Sequence, residues 1–174
     1  MELATLLDQE LSAFSVRELT TDDGDLIFQL QKQHPDYFDN FLNHSVTKKE
    51  ALMDLTDLPR DAMADQKTYL GIFQGHTLVA TIDIIIDYPL PQMVWIGRFM
   101  TDPKFPQSAR LDIYQTLERI LKATGAQVVQ LAVYIGETSE EAFWRALDFT
   151  EKKRTTFMRG DMSGNVIILQ KSLV

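Results

Sequence analysis

The sequence predicts one α/β domain, and three observations lead to this fold class. The chain has 174 residues, of which 45% are hydrophobic. This is enough to bury one sizeable core, but the chain is too short for two ordinary domains. Segments with the alternating pattern of strands are interspersed with segments of helical periodicity. The sequence contains no repeat, low-complexity tract or proline-rich linker. The predicted domain therefore spans residues 1–174, with elements in the order β-α-α-β-β-β-α-β-α-β-β.

The first third of the chain predicts one strand and two helices. Residues 1–13 form a possible helical extension before them, because their leucines recur at helical spacing. Phe14 to Leu19 alternates apolar and polar residues like a strand, and Thr20 to Asp23 then provides a helix start. That helix breaks at the segment His34 to Phe38, which contains a proline, and Ser45 to Glu50 offers caps for the second helix.

The middle of the chain predicts a β-hairpin and a central strand. Lys67 to Phe73 and His76 to Ile86 flank a Gln-Gly pair, where glycine can take a positive φ. The second arm places Ile82, Ile84 and Ile86 on one face, with Asp83 and Asp87 on the other. The apolar run Met93 to Met100 predicts the central strand.

Two helices and three strands complete the predicted order. Ser108 is expected to cap a helix that stops at Gly125, and Ser139 is expected to cap another that runs through Leu147. The predicted strands are Gln127 to Tyr134, Thr150 to Arg159 and Asn165 to Gln170, with the last turn at Ser163-Gly164.

Composition excludes several classes of function. A net charge of −8 opposes the phosphate neutralisation on which nucleic-acid binding depends, so no nucleic-acid partner is expected. The chain has no cysteine and its three histidines lack the spacing of metal ligands, so no metal site is predicted. It also has no leader-like amino terminus and no run of about 18 apolar residues. We therefore expect a cytoplasmic protein with no membrane partner, whose acidic field favours a cationic amine substrate.

The element order and several motifs resemble the GNAT acetyltransferase superfamily from Phe14 to the carboxyl terminus. Leu131-Ala132-Val133, followed by the segment Ser139 to Phe149, is similar to the family pattern L-x-V … N-x-x-A-x-x-F/Y-Y/W-x-x-x-G-F. Here Ser139 replaces the asparagine and Asp148 replaces the glycine. The turn before the central strand and the closing strand also look like those of the family. The resemblance implies a mixed, mostly antiparallel central sheet of about seven strands flanked by helices.

The resemblance also implies N-acetyl transfer from acetyl-CoA, the acyl donor, to a primary amine of a small molecule. The phosphate-binding loop departs from the family pattern Q/R-x-x-G-x-G/A, because residues Lys104 to Ala109 contain neither glycine. Glycine lets a backbone approach a pyrophosphate closely, so we expect weaker or altered cofactor binding. The alternative is a catalytically degenerate GNAT-fold module for binding or regulation. The sequence also leaves a homodimer open.

Candidate cofactor-binding residues follow from the resemblance alone. The backbone of the central strand would hold the thioester and pantetheine arm, the next helix start would lie near the pyrophosphate, and the last helix would flank the channel. The residues implied are Phe99, Met100, Thr101, Gln107, Ser108, Ala109, Arg110, Leu111, Ser139 and Trp144.

Candidate catalytic and substrate-binding residues form a second set. Many family members have a tyrosine acid where this chain has Trp144, whose indole N–H is too weakly acidic for that role. Tyr134 is the candidate substitute, and the candidate bases are Asp83, Asp87 and Asp102, the last of which is also expected in a turn. The acceptor pocket is expected at the early helices and the Tyr-Pro turn, and its candidate residues are His34, Tyr37, Phe38, Phe41 and Tyr88.

Overall fold

The computed structural model describes residues 2–159 and 162–174. The helices are α1 (Leu3–Glu10), α2 (Gly24–Lys32), α3 (Pro35–Leu42), α4 (Lys48–Met53), α5 (Gln107–Ala123) and α6 (Thr138–Arg145). The strands are β1 (Ser15–Glu18), β2 (Lys67–Gln74), β3 (Thr77–Ile86), β4 (Met93–Thr101), β5 (Val128–Tyr134), β6 (Thr150–Arg159) and β7 (Met162–Ser172). Short 3-10 turns lie at Thr21–Asp23 and Ala64–Gln66.

The strands form one sheet in the order β1-β2-β3-β4-β5-β7-β6. Neighbouring strands are antiparallel except β4 and β5, which run parallel. The predicted fold class, a mostly antiparallel sheet of about seven strands flanked by helices, is therefore confirmed. The predicted hairpin between β2 and β3 is also present, with Gly75 at a φ of 62°.

Helices cover both faces of the sheet. On one face α1, α5 and α6 bury Leu7, Ile113 and Trp144 against the strands. On the other face α2 and α3 bury Ile27 and Phe38, and α4 packs against α2. Because both faces are covered, β3 is buried along nearly all of its length.

A helix that the sequence did not predict follows α2 directly. The chain does break at His34, but α3 begins at Pro35 and continues to Leu42, so three helices separate β1 from β2. Proline suits the first position of a helix because it has no N–H to leave unpaired and its φ is already helical. Asn43, with a φ of 62°, ends α3 in the left-handed conformation.

Two predicted helix caps are each wrong by two residues. Pro106 is at the N-cap of α5 and Glu137 at that of α6, and neither side chain makes a capping bond. Ser108 and Ser139 therefore lie inside the first turns of these helices. The capping predicted for α4 is confirmed, because the Thr47 side chain accepts from the Glu50 amide and the Glu50 carboxylate accepts from the Thr47 amide.

The predicted turn at Ser163-Gly164 is also wrong. These residues pair with Met158 and Phe157 within the β6–β7 ladder, and the connection between the strands falls outside the described residues. A β-carbon built on Gly164 would lie 2.8 Å from Cδ1 of Tyr134. The glycine therefore serves close packing against an aromatic ring rather than a turn.

Candidate active site

The site begins where β4 and β5 stop pairing. Their parallel ladder runs from Met93 and Val128 to Ile96 and Leu131, and β4 then continues to Thr101 without β5. On the other edge of β4, Ile96 pairs with Ile84 and Arg98 with Asp83, so that Gly97 is an extra residue, a β-bulge. A bulge bends its strand and increases the local twist. The two strands consequently splay apart, and the edge of β4 facing β5 is left without its ladder.

A cavity of about 320 Å³ opens at this splay. It lies between the open ends of β4 and β5, the first turn of α5, the start of α3 and helix α6. Eleven of the predicted site residues line it, namely His34, Tyr37, Phe99, Met100, Thr101, Asp102, Gln107, Arg110, Tyr134, Ser139 and Trp144. The structure thus brings together side chains that lie up to 110 positions apart (144 − 34) in the sequence.

Five predicted residues lie near the cavity but do not line it, and one of them, Phe41, stacks on the ring of Tyr134. Ser108, Ala109 and Leu111 are in the first turns of α5 but outside the lining. Phe38 is 2% exposed and packs in the core, with the guanidinium carbon of Arg98 5.2 Å from its ring centroid.

Three further predicted residues, Asp83, Asp87 and Tyr88, do not line the cavity. Asp83 pairs with Arg98 of the cavity wall, but its own side chain is not part of the lining. Asp87 and Tyr88 follow the end of β3. The end of β3 pairs with the beginning of β4, with Ile86 opposite Val94, whereas the cavity is at the other end of β4. Antiparallel pairing therefore takes the end of β3 away from the splay.

Each of these three residues has a structural role where it lies. Asp83 is 1% exposed and pairs with Lys67 Nζ at 3.1 Å. Asp87 accepts a hydrogen bond from the amide of Gln92 at 2.7 Å, and the Tyr88 hydroxyl donates to the Arg60 carbonyl at 2.9 Å.

Asp102 does line the cavity, next to Thr101. Its Oδ1 accepts from the amide of Lys104 at 2.8 Å, which is the turn expected from the sequence.

His34 is held against the end of β4 in a single hydrogen bond. Its Nε2 lies 2.7 Å from the Thr101 carbonyl oxygen, which can only accept, so Nε2 carries the proton and Nδ1 has a lone pair. Burial lowers the pKa of His34, and the positive charge of Arg110 acts in the same direction, against the raising effect of the Thr101 carbonyl. The ring is therefore neutral at pH 7 and can accept a proton.

The ring of Tyr134 is fixed by its neighbours. It stacks on Phe41, with ring centroids 3.7 Å apart, and meets Tyr37 edge-on at 5.9 Å. Gly164 provides the space for the ring on β7. The hydroxyl belongs to a residue of the cavity wall that is only 7% exposed.

Several residues of the site were not predicted from the sequence. Glu137 and Glu140 line the cavity, and Glu140 Oε1 accepts from Trp144 Nε1 at 3.0 Å and from Arg110 Nη2 at 2.7 Å. Burial raises the pKa of Glu137, and the charges of Glu140 and Asp36 raise it further. The sequence gives little signal for these residues, because acidic first turns are common in helices.

Arg98 is another residue that was missed, although an arginine inside an apolar strand was a usable signal. Its Nη1 donates to Asp54 Oδ2, and the same oxygen accepts from Gln31 Nε2 at 2.7 Å and from the Tyr69 hydroxyl at 3.4 Å. Both ions of the pair are buried. The network joins α2, the end of α4 and the sheet at the wall of the cavity.

Comparison with solved structures identifies the architecture. An acetyltransferase from Thermus thermophilus superposes with a TM-score of 0.71 at 19% identity, covering 92% of this chain and 97% of the other. The chain has the GNAT acetyltransferase fold. An N-acetyltransferase from Staphylococcus aureus gives a TM-score of 0.64 at 12% identity, covering 94% and 100% of the two chains. The PaiA N-acetyltransferase of Thermoplasma acidophilum, in complex with coenzyme A, gives 0.61 at 15% identity, covering 91% and 98%. Neither a family model nor a curated protein matches the sequence.

The described part of the chain has neither a cluster of metal ligands nor a membrane-spanning helix. In residues 2–159 and 162–174, no three His, Asp or Glu side chains are grouped to hold a metal ion. Within the same ranges no helix has the length and apolar character needed to cross a membrane.

Proposed function

We propose that this chain is an N-acetyltransferase that transfers an acetyl group from acetyl-CoA to a primary amine of a small molecule. The observation that carries the proposal is the cavity at the β4–β5 splay, whose wall contains both a neutral histidine and a tyrosine hydroxyl. The fold supports the same activity, because its structural relatives include N-acetyltransferases and one of them was solved with coenzyme A.

The residues present fit an acyl-CoA. The β4 edge from Phe99 to Thr101 offers backbone groups that β5 does not engage. The first amides of α5, those of Gln107 and Ser108, point out of the helix and have no carbonyl of a preceding turn to bind. Arg110 lines the same space, and its buried Nε has no acceptor among the described residues. These groups would hold the pantetheine arm and the phosphates, and the bound cofactor would supply an activated acyl group as a thioester.

The side chains of the cavity provide the proton transfers of amide formation. His34 accepts a proton from the amine at Nδ1, because burial lowers its pKa and the bond from Nε2 to the Thr101 carbonyl leaves the lone pair on Nδ1. Tyr134 donates a proton to the departing sulfur. Trp144 does not serve as the acid, because its Nε1 donates to Glu140 within a packed aromatic cluster.

The acidic wall of the cavity supports an amine as the acceptor. Glu137 lies on the wall with Tyr37, and Asp36 is close enough that its charge raises the pKa of Glu137. A cationic amine approaching these carboxylates is favoured over an anion. A small molecule suits the cavity of about 320 Å³ better than a large polymer does.

A thermal-shift titration combined with a transfer assay tests the proposal. Acetyl-CoA at about 100 times its Kd should stabilise the fold by roughly 2.7 kcal/mol, with CoA and dephospho-CoA as matched ligands. The transfer assay then measures release of free thiol from acetyl-CoA across a panel of primary amines. Stabilisation without transfer to any amine would favour the binding or regulatory module. If no acyl-CoA shifts the melting temperature at millimolar concentration, the proposed activity is refuted.

A further inference from the structure

The side chain of Arg110 crosses the cavity between β4 and α6. Its Nη2 donates to the Phe99 carbonyl at 3.1 Å and to Glu140 Oε1 at 2.7 Å. The guanidinium carbon lies 4.0 Å from the ring centroid of Phe143 and 4.9 Å from that of Phe99. The side chain is only 7% exposed. The Phe99 carbonyl at the open edge of β4 therefore already accepts a hydrogen bond from the buried guanidinium of Arg110.

This cation has hydrogen-bonding capacity that the protein does not use. An arginine has donors on three nitrogens, and within the described residues only Nη2 of Arg110 donates. Nε is buried and has no acceptor there, which is an unfavourable state for a buried donor. The unused donors belong to a side chain of the cavity wall, so a ligand oxygen in the cavity can satisfy them.

The bond between Arg110 and Glu140 is suited to exchange. Glu140 is 34% exposed, so water can replace the guanidinium, and its Oε1 keeps the bond from Trp144 Nε1. Glu137 lies on the same wall, where burial raises its pKa first and the negative charge of Glu140 raises it further. Arg110 itself lies in the first turns of α5, beside the amides of Gln107 and Ser108 at the positive end of the helix. An anion bound there would compete directly with Glu140 for the guanidinium.

We propose, on the basis of the proposed function, that Arg110 determines specificity for acyl donors that carry phosphate. In the absence of a donor, Arg110 binds Glu140 and the Phe99 carbonyl across the cavity. A phosphate group of the donor replaces Glu140 as its partner, and the exchange releases the Phe99 carbonyl to accept from the donor's amide arm. Arginine suits this exchange because its planar donors match phosphate oxygens in pairs.

Binding measurements with three probes test this assignment. Acetyl-CoA has the arm and the phosphates, acetyl-pantetheine has the arm alone, and inorganic pyrophosphate has phosphates alone. Arg110→Met keeps an unbranched apolar side chain but removes the charge, and Arg119→Met on the same helix is the matched control, because Arg119 is exposed and pairs with Glu10. Arg110→Met should weaken acetyl-CoA by roughly 10-fold or more, abolish pyrophosphate binding and leave acetyl-pantetheine as tight or tighter. Arg119→Met should behave like the unchanged protein. Unchanged acetyl-CoA binding, or an equal loss for both thioesters, overturns the assignment.

Glu140→Gln gives a prediction of the opposite sign that does not depend on removing Arg110. Without the competing carboxylate, acetyl-CoA should bind several-fold more tightly, and a weakened affinity contradicts the exchange. In a Trp95→Phe background, the fluorescence of Trp144 should change on addition of pyrophosphate, because Trp144 Nε1 and Arg110 share Glu140 as their acceptor. An unchanged spectrum at saturating pyrophosphate also contradicts the exchange. Binding that depends on Arg110 without acetyl transfer would refute only the proposed enzyme. A protein that binds none of the three probes refutes both proposals.

Discussion

Replacing Asp54 should test how strongly the buried ionic network holds the acceptor side of the site. Asp54 is 4% exposed and Arg98 is 7% exposed, so the pair is shielded from water. Asp54→Asn keeps the shape of the side chain but removes the negative charge beside the guanidinium. Removing one ion of a buried pair typically costs about 3–5 kcal/mol, because the other ion stays buried. Gln31 and Tyr69 would still meet an amide oxygen, so we expect a loss of about 3 kcal/mol in the free energy of unfolding.

Urea unfolding followed by circular dichroism measures this loss. For a domain of this size, about 3 kcal/mol corresponds to a fall of roughly 6–12 °C in Tm. Asp25→Asn is the matched control, because Asp25 is 80% exposed and pairs with a half-exposed Lys48, so its loss should be under about 1 kcal/mol. Combining Asp54→Leu with Arg98→Met removes both ions and should cost less than Asp54→Leu alone. A loss below about 1 kcal/mol for Asp54→Asn, or no recovery in the double variant, would refute the reasoning.

Three further outcomes concern the cavity itself. Trp144→Ala should lower the free energy of unfolding by about 3–5 kcal/mol, because the side chain is buried. Trp144→Phe should keep most of the activity. A large fall in kcat in folded Trp144→Phe would instead show that the indole N–H takes part in the chemistry. Gly164→Ala should lower kcat roughly 10- to 100-fold, because the new β-carbon displaces the ring of Tyr134; unchanged kcat in steady-state assays would exclude Tyr134 as the acid. The acidic limb of the pH–rate profile should lie below the usual histidine pKa of about 6.5 and disappear in His34→Gln, since burial lowers the pKa of His34. Because folding keeps this ring neutral, the unfolded chain binds more protons than the folded one at acidic pH. The free energy of unfolding should therefore fall as the pH drops below about 6.5. A difference in stability between His34→Gln and the unchanged protein that does not vary with pH would contradict this.

The sequence predicted most of the fold because its apolar patterns are long and regular. The hairpin of β2 and β3 and the central strand β4 each have a run of β-branched or apolar residues bounded by turn residues. The apolar stripe of α5 stops at Gly125, which has a φ of 101° in the structure. Helix α3 was missed because Pro35 signals the end of one helix and, equally, the first position of another. Local sequence does not separate these two meanings, since the choice depends on the packing of Phe38 beneath the new helix.

The residues of the site were predictable where the family resemblance or the order of the strands places them, but not where they depend on contacts between distant side chains. Tyr134 and the end of β4 meet because both are at the splay, and that follows from the order of the strands. Asp83 has the chemistry of a base and pairs with Arg98 of the cavity wall, but its own buried side chain does not line the cavity and is neutralised by Lys67. Glu140 has no signal in the sequence, because its role depends on Arg110, which is 30 positions away and on a different helix.

The start of α5 lacks the two glycines of the family's phosphate-binding pattern, and this lack is related to the role proposed for Arg110. Pro106 has no amide and is at the N-cap, while its carbonyl accepts from the amides of Ala109 and Arg110. Only the next amides, those of Gln107 and Ser108, are left to face an anion, and the β-carbons of this loop keep the anion farther from the backbone than glycines would. A phosphate site built on backbone donors alone would be weak under these conditions. A long side chain with unused donors compensates for both losses, because it reaches across the distance that the β-carbons impose and carries a full positive charge. Recognition of the donor would then depend on Arg110, and the same side chain binds Glu140 and the Phe99 carbonyl when no donor is present.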